Sequence, residues 1–548
     1  MAPNGDTPDS RKLERDLARP EAYPLPRPGA VEVRETHISW AFLTEGDVYK
    51  VKKPIDLGFL DFSTLEKRRR ACEAEVVLNE RLAASVYLGV VPVHRSSDGH
   101  HHLYPDGEVV DWAVHMLRLP DECRADSLLA RGQLSSVHIA RLAQHIADFH
   151  ARCTTSEAIA EAGSICAVTQ NVRENFTSTA PAIRRFVLGD EAREIERWQL
   201  SFLARNAPRF EARQRGGFVR DGHGDLRLDH VYFDPFVSTS PAIPGQGITI
   251  LDCIEFSERL RAGDVCSDIA FLSMDLIAHG RVDLAEALLA HYARASNDYD
   301  LYALVDFYES YRAYVRGKVA MLRAQASTDP RVVEDAEQAA RRHFLLALAG
   351  ARPALLPPVV VAVGGVIASG KSTIADALAE RLGAPVVDAD RTRKAMMGVA
   401  STDRLDVPAF EGPYDPRVTA EVYAELARCA GVVVRSGRSV VLDASFRTRE
   451  QRAVLRTLAE SLHVPLFFVE CRAPAGVCRQ RLERRALERG VSDGRLAIFD
   501  DFIARAESVE PGEFNEREHI AVDTTRPVET TMRALSERVR FWPRGLVA

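Results

Sequence analysis

A chain of 548 residues is longer than one hydrophobic core serves, so about two to four domains are expected. With 46% hydrophobic and 27% charged residues and a formal net charge of −7, the composition is globular and excludes a broadly basic nucleic-acid binder. Nine cysteines stand singly with no C-x-x-C pair, which points to reduced thiols and a cytoplasmic setting rather than a disulfide framework. No run approaches the roughly 18 apolar residues of a membrane span, and the start lacks the apolar segment of a secretory signal. Residues 1–20, polar and proline-bearing, are expected to form a disordered tail.

In chain order, Thr36–Thr44 reads as a strand, Glu45-Gly46-Asp47 as a turn and Val48–Lys53 as a second strand, making a hairpin. Alternation puts Tyr49 and Val51 on one face and Lys50 and Lys52 on the other. A helix is predicted over 65–84, with Ala74, Val77, Leu78 and Leu82 as its apolar stripe. Strands at 89–93 and 109–117 complete a small antiparallel sheet. From about Leu134 to Ala349 the pattern turns helical, with helices over 138–152, 191–214, 268–278, 283–295, 299–324 and 332–348. Two extended pieces, Gly224–Asp234 and Gly247–Phe256, interrupt it, apolar beside polar clusters in the manner of site-bearing loops.

Gly350–Pro358 carries three prolines in nine residues and reads as a linker. Beyond it, strands at 358–363, 385–388, 438–443, 465–470 and 519–523 alternate with helices at 371–382, 415–435, 448–460, 474–489 and 527–540. That alternation predicts an open parallel sheet covered on both faces. The expected organisation is a tail over 1–20, one domain over 21–349, the linker over 350–358 and a second domain over 359–548.

Gly365, Gly370, Lys371 and Ser372 match G-x-x-x-x-G-K-[ST] between a predicted strand and a helix that Thr373 helps to open. The glycines let backbone N–H groups turn toward a phosphate chain, and the helix N-terminus adds positive dipole. Lys371 would reach the outer phosphates, and the Ser372 hydroxyl would ligate Mg²⁺. After the second strand, Asp390 and Arg393 lie three apart at the start of a helix, on the edge of a parallel sheet where ligands bind. Asp388 and Asp390 suit helix caps equally well. The next strand ends in Asp443, a position that can hold Mg²⁺ through water. Arg481 and Arg485 share one face of a basic helix, read either as a solvated charged surface or as an arginine lid over the phosphates.

Three N-terminal features belong together: the lysine-bearing hairpin, His223-Gly-Asp-Leu-Arg-Leu-Asp-His230, and the strand Ile248–Ile250 leading to Asp252. This pattern resembles the aminoglycoside phosphotransferase and protein-kinase-like superfamily. The resemblance implies Asp225 as the base at the acceptor hydroxyl, Asp252 as the metal-holding carboxylate, Lys50 paired with Glu75 at the α/β-phosphates, and Met116 in the adenine hinge. Lys52 faces the same side as Lys50, so alternation alone does not choose between them. Asp264 and Asp268 match a segment that is structural support in most members. His230 stands where the family's metal-binding Asn is expected, and imidazole is a poor ligand for hard Mg²⁺.

The C-terminal pattern resembles P-loop small-molecule and polynucleotide kinases, including gluconate- and shikimate-type kinases. It implies Asp390 as base, Arg393 as a substrate or phosphate contact and Arg481 or Arg485 as a lid arginine. The whole chain resembles bacterial proteins that fuse an aminoglycoside-phosphotransferase-like domain to a P-loop kinase. The expected fold class is thus α/β plus α+β: a bilobal kinase-like fold of small antiparallel sheet and helical lobe, followed by a parallel-sheet P-loop NTPase domain. The expected function is an ATP- and Mg²⁺-dependent phosphotransferase with two nucleotide sites and a small-molecule hydroxyl acceptor. The alternatives are a nucleic-acid 5′-hydroxyl kinase in the C-terminal half, against which the acidic net charge counts, and a regulatory N-terminal pseudokinase gating the P-loop half.

Overall fold

The computed structural model describes residues 8–36, 38–56, 60–234, 247–350, 357–405, 407–485, 491 and 493–538. They divide into two compact units, Met1–His279 with Phe307–Ala351 and Gly280–Asp306 with Arg352–Ala548.

The first unit begins with a helix, α1 (Pro8–Leu17), where a disordered tail was expected. Two leucines one turn apart explain it: Leu13 and Leu17 are buried with Tyr23, Trp40 and Phe42, enough apolar surface to hold a mostly polar helix. A six-stranded antiparallel sheet follows, made of β1 (Glu32–Glu35), β2 (Ser39–Leu43), β3 (Asp47–Lys52), β4 (Tyr87–Arg95), β5 (His101–His102) and β6 (Glu108–Leu117). Its order is β1-β2-β3-β6-β4-β5, with β2 and β3 joined as the predicted hairpin in the register Ala41↔Lys50.

Helix α2 (Leu65–Ala83) is capped by the Thr64 side chain, which accepts from the Lys67 N–H. Its buried face shares only Leu82 with the predicted stripe. Ala71, Cys72, Glu75, Asn79 and Leu82 face inward, while Val77 is 65% exposed. A carboxylate in the middle of the buried face rotates the helix toward the lysines of β3, a pull that apolar spacing does not register. The rest of this unit is mainly helical, with long helices at Ser136–Arg152, Gly189–Arg215, Val265–Ala278 and Pro330–Ala349. A helix at Ile165–Thr179 was not predicted. Two short antiparallel strands, Val231–Phe233 and Ile248–Ile250, hold the polar loops in place.

The second unit is a five-stranded parallel sheet: β7 (Val360–Gly364), β8 (Val386–Asp388), β9 (Val440–Asp443), β10 (Leu466–Arg472) and β11 (His519–Asp523), in the order β8-β9-β7-β10-β11. All five strands fall where the apolar runs predict them. Val361, Val363 and Val441 are fully buried against Ile374 and Leu378, as a sheet covered on both faces requires. Segment 280–306 belongs to this unit, although its sequence lies within the helical run ahead of the linker. It contains helix α3 (Val282–Ser296). The Tyr299 hydroxyl donates to the Val386 carbonyl (2.5 Å), and buried Arg438 meets Glu286 (2.7 Å) and Asp306 (3.1 Å). The linker prediction falls largely on 351–356, outside the described residues. No helix among the described residues is long and apolar enough to cross a membrane.

Candidate active sites

The P-loop joins β7 to helix α4 (Lys371–Leu382). Gly365 and Gly370 hold φ of +139° and +91°, which side chains rarely adopt. A Cβ on Gly365 would lie 2.4 Å from the Cys471 carbonyl oxygen, and one on Gly370 would meet Thr524 at 3.1 Å. The Gly365 N–H is anchored by the Ser445 carbonyl (3.0 Å), and Lys371 Nζ donates to the Val366 carbonyl (2.9 Å). Ser372 and Thr373 are exposed at the helix N-terminus.

The loop opens on a cavity of about 660 Å³ that is also lined by Asp388, Asp390 and Asp443. Strands β8 and β9 end in Asp388 and Asp443, so both acids stand at the carboxyl edge of the sheet. Burial pushes the Asp443 carboxyl up, while the Lys371 ammonium and Ser372 hydroxyl oppose it. Burial likewise raises Asp388 to about 6, against the pull of Arg294. Asp388 and Asp390, equivalent as caps in the sequence, have different roles here. Asp388 caps helix α5 (Ala389–Met396), accepting the Arg391 N–H (2.8 Å) and lying 3.4 Å from Arg294 Nε. Asp390 caps nothing, and among the described residues no hydrogen bond or ion pair engages its carboxylate. Burial and the charge of Asp493 raise its proton affinity.

Arg393 also lines the cavity, its guanidinium 4.5 Å from the Tyr414 ring and donating to the Pro413 carbonyl (2.5 Å). The two lid candidates separate. Both stand on helix α6, counting the described part Ala475–Arg485. Arg485 lines the cavity. Arg481 is tied to the Ala368 carbonyl of the loop (3.1 Å) and to the Thr524 carbonyl (2.6 Å). Predicted helix residues 486–489 lie outside the described ones.

Several cavity residues escaped the sequence reading, among them Arg294 and Arg447. Arg294 comes from α3 and also pairs with Asp376 (2.6 Å); no local pattern marks it. Arg447 follows the β9 carboxyl end by four residues, a position that the sheet-edge rule could have singled out.

In the first unit, Lys50 and Lys52 share one face as alternation requires, and Glu75 lies between them. Lys50 meets Glu75 (2.9 Å) and Asp252 (2.5 Å), whereas Lys52, 1% exposed, meets the other Glu75 oxygen (2.7 Å) and Glu255. Lys50 therefore faces the site, and Lys52 is sealed beneath Phe62. Burial works against the Lys50 charge, but Asp252 and Glu75 more than offset it and hold its pKa well above the ordinary lysine value. Asp252 sits at φ +64°, a backbone conformation that Asp tolerates better than most residues. Met116 is buried on β6 among Cys72, Tyr87 and Val114.

Asp225 is paired with Arg227 (3.2 Å). Burial raises its pKa, but neighbouring positive charge, that of Arg227 first, outweighs burial and brings it to about 2. The His230 partners fix its tautomer. A carbonyl only accepts, so Nδ1–H donates to the Asp225 carbonyl (2.9 Å); a guanidinium only donates, so Nε2 accepts from Arg227 Nη2 (2.8 Å). Both ring nitrogens are thus engaged, and Nε2 has no lone pair spare for a metal at Asp252, 3.6 Å away. Among the described residues no group of three or more His, Cys, Asp or Glu could hold a metal ion. Asp268, buried, accepts the N–H groups of His223 (2.7 Å) and Gly224 (2.9 Å), and Asp264 caps the helix that follows. Asp268 is scaffolding for the loop.

The folds and sites define a fusion of a kinase-like unit with a P-loop NTPase unit. Residues 360–509 match a family profile described as AAA domain. Over 522 residues the chain is 32% identical to the uncharacterized proteins Rv2004c of Mycobacterium tuberculosis and Mb2027c of Mycobacterium bovis, covering 95% of this chain and 97% of each relative. The chain belongs to the family of these mycobacterial proteins. Among solved structures, a sugar kinase from Janibacter sp. is 22% identical with TM-score 0.25, over 33% of this chain and 94% of that one. A Sinorhizobium meliloti gluconokinase is 23% identical with TM-score 0.23, over 33% and 90%. A Plasmodium vivax ethanolamine kinase is 9% identical with TM-score 0.34, over 57% and 81%.

Proposed function

We propose that the P-loop unit transfers the γ-phosphoryl group of ATP to a hydroxyl group of a small molecule. The observation that carries this reading is Asp390: a carboxylate of raised proton affinity, engaged by no described partner, lining one cavity with the P-loop lysine. In this reading Asp390 takes the acceptor hydroxyl proton as its oxygen attacks the γ-phosphorus. Lys371, released from the Val366 carbonyl, pairs with the outer phosphates, and loop N–H groups hold the chain in line. Ser372 and Asp443 suit Mg²⁺, which binds through few protein oxygens and neutralises phosphate charge when present. Arg393 and Arg485 supply further positive charge at the cavity wall.

The first unit is read as a second nucleotide site, with Lys50 and Glu75 at the phosphates, Met116 toward the adenine and Asp252 toward metal. The pairing of Asp225 with Arg227, and of both His230 nitrogens, favours nucleotide binding with little turnover, a regulatory role.

ATP consumption against sugars, aminoglycosides, nucleosides and 5′-hydroxyl oligonucleotides tests both readings. Lys371→Ala and Asp390→Asn should abolish acceptor-dependent turnover, and Asp225→Asn should leave it in place. Full turnover by Lys371→Ala sinks the P-loop assignment. Loss of turnover in Asp225→Asn alone makes the first unit the catalytic one.

A further inference from the structure

Arg447 is held in place around its backbone and left unsatisfied at its charged end. Phe446, just before it, sits at φ +43° and turns the chain after β9. The Phe446 N–H donates to the Tyr423 hydroxyl (3.0 Å), the Arg447 N–H to Gln451 Oε1 (3.0 Å), and the Arg447 carbonyl accepts from the Glu507 N–H (2.8 Å). The guanidinium lies against two stacked rings, 4.6 Å from Phe410 and 4.7 Å from Phe502. Its Nε and Nη1 are buried with no hydrogen-bond partner, and no carboxylate among the described residues lies within ion-pair distance. Aromatic faces attract a cation but accept none of its N–H groups in the ring plane. Burial and the nearby charges of Arg505 and Arg393 weaken its hold on its proton, although Tyr423 opposes them. Leaving a charged donor buried and unsatisfied is costly unless an acceptor arrives.

The same side chain lines the cavity of Lys371 and Asp390. Eight basic and five acidic side chains line that cavity. Arg393, 4% exposed, also leaves its Nε unpartnered there. We propose that Arg447 is the anchor for an anionic group on the acceptor, so that the P-loop unit phosphorylates a small hydroxylated molecule that already carries a carboxylate, sulfate or phosphate. This rests on the P-loop phosphotransferase reading. The Arg447 guanidinium can donate charge-assisted hydrogen bonds to such a group. The anion at that end and the hydroxyl at Asp390 would fix the acceptor at two points. Phe410 and Phe502 give no comparable sign of nucleic acid: they stack on each other, Arg447 lies against both rings and Arg505 lies 3.8 Å from Phe410, so both rings already have partners.

The test uses the full-length protein saturated with a non-hydrolysable ATP analogue, so that the P-loop is filled, and titrates inorganic sulfate calorimetrically. The wild type should bind sulfate, and Arg447→Met should bind it about ten- to a hundredfold more weakly, the worth of a charge-assisted hydrogen bond or two. Arg447→Lys should recover part of the difference, which guards against a folding defect. Analogue affinity should be the same in all three proteins. Equal sulfate binding by wild type and Arg447→Met overturns the proposal, as does an equal loss of analogue affinity. In turnover, each neutral sugar is paired with its sugar acid and its sugar phosphate. The anionic members should win in kcat/KM, with the Arg447→Met loss falling on acceptor KM; preference for the neutral member or for an oligonucleotide overturns it. Failure of the parent reading is distinct: Lys371→Ala then consumes ATP as the wild type does.

Discussion

Arg294→Ala probes how the P-loop unit tolerates a buried acid at its sheet edge. Asp388 is 6% exposed and its pKa is raised to about 6 by burial, with Arg294 at 3.4 Å restraining the rise. A guanidinium at that range lowers an aspartate by about one to three pH units, so its removal should lift Asp388 by a similar amount. The sign follows from linkage. A group whose folded pKa lies above its unfolded one contributes stability that is complete below the unfolded value and is lost as pH rises through the folded value. In the wild type this loss is over just above pH 6. In Arg294→Ala it continues upward, at about 1.4 kcal/mol per pH unit, for roughly 1–4 kcal/mol in total. Urea unfolding read by proteolysis, with fragments of the P-loop unit followed separately, measures this at pH 5 to 8. The variant should lose stability between pH 6 and 8 relative to wild type, and Arg294→Lys should lose less. Parallel pH curves for wild type and Arg294→Ala would refute the argument that Arg294 sustains the Asp388 charge.

Arg438 is 2% exposed between Glu286 and Asp306, and Arg438→Ala takes the cation away from the buried Glu286 carboxylate and from Asp306. It should destabilise the P-loop unit by about 3–5 kcal/mol in the same urea assay, and a change below about 1 kcal/mol contradicts a buried network. Gly365→Ala forces a Cβ to 2.4 Å from the Cys471 carbonyl oxygen at φ +139°; binding of a fluorescent ATP analogue should weaken at least about tenfold, and unchanged affinity would show that the loop relaxes freely. Leu17 is fully buried, so Leu17→Ala should cost the first unit about 2–5 kcal/mol, whereas a frayed tail would lose nothing measurable.

The parallel sheet, the order of its strands in the chain and the P-loop were legible because each is written locally. Val360–Gly364 is a continuous apolar run, and Gly365, Gly370, Lys371 and Ser372 have backbone and side-chain requirements that few other residues meet. The polar clusters around Asp225 and Asp252 were legible for the same reason. What sequence left open was every choice that depends on a partner far along the chain. Lys50 and Lys52 are equivalent by alternation, and only Asp252 and Glu255, some two hundred residues later, distinguish them. Asp388 and Asp390 are equivalent as caps until α5 and Arg294 are in place. The inward face of α2 follows the charge of Glu75 and keeps only Leu82 of the apolar stripe. The assignment of segment 280–306 to the P-loop unit has no local signature, because an amphipathic helix states that it needs an apolar neighbour and not which one. Local pattern sets secondary structure and the chemistry of a motif; pairing over long sequence separations sets which charges meet, and only folding in three dimensions decides that.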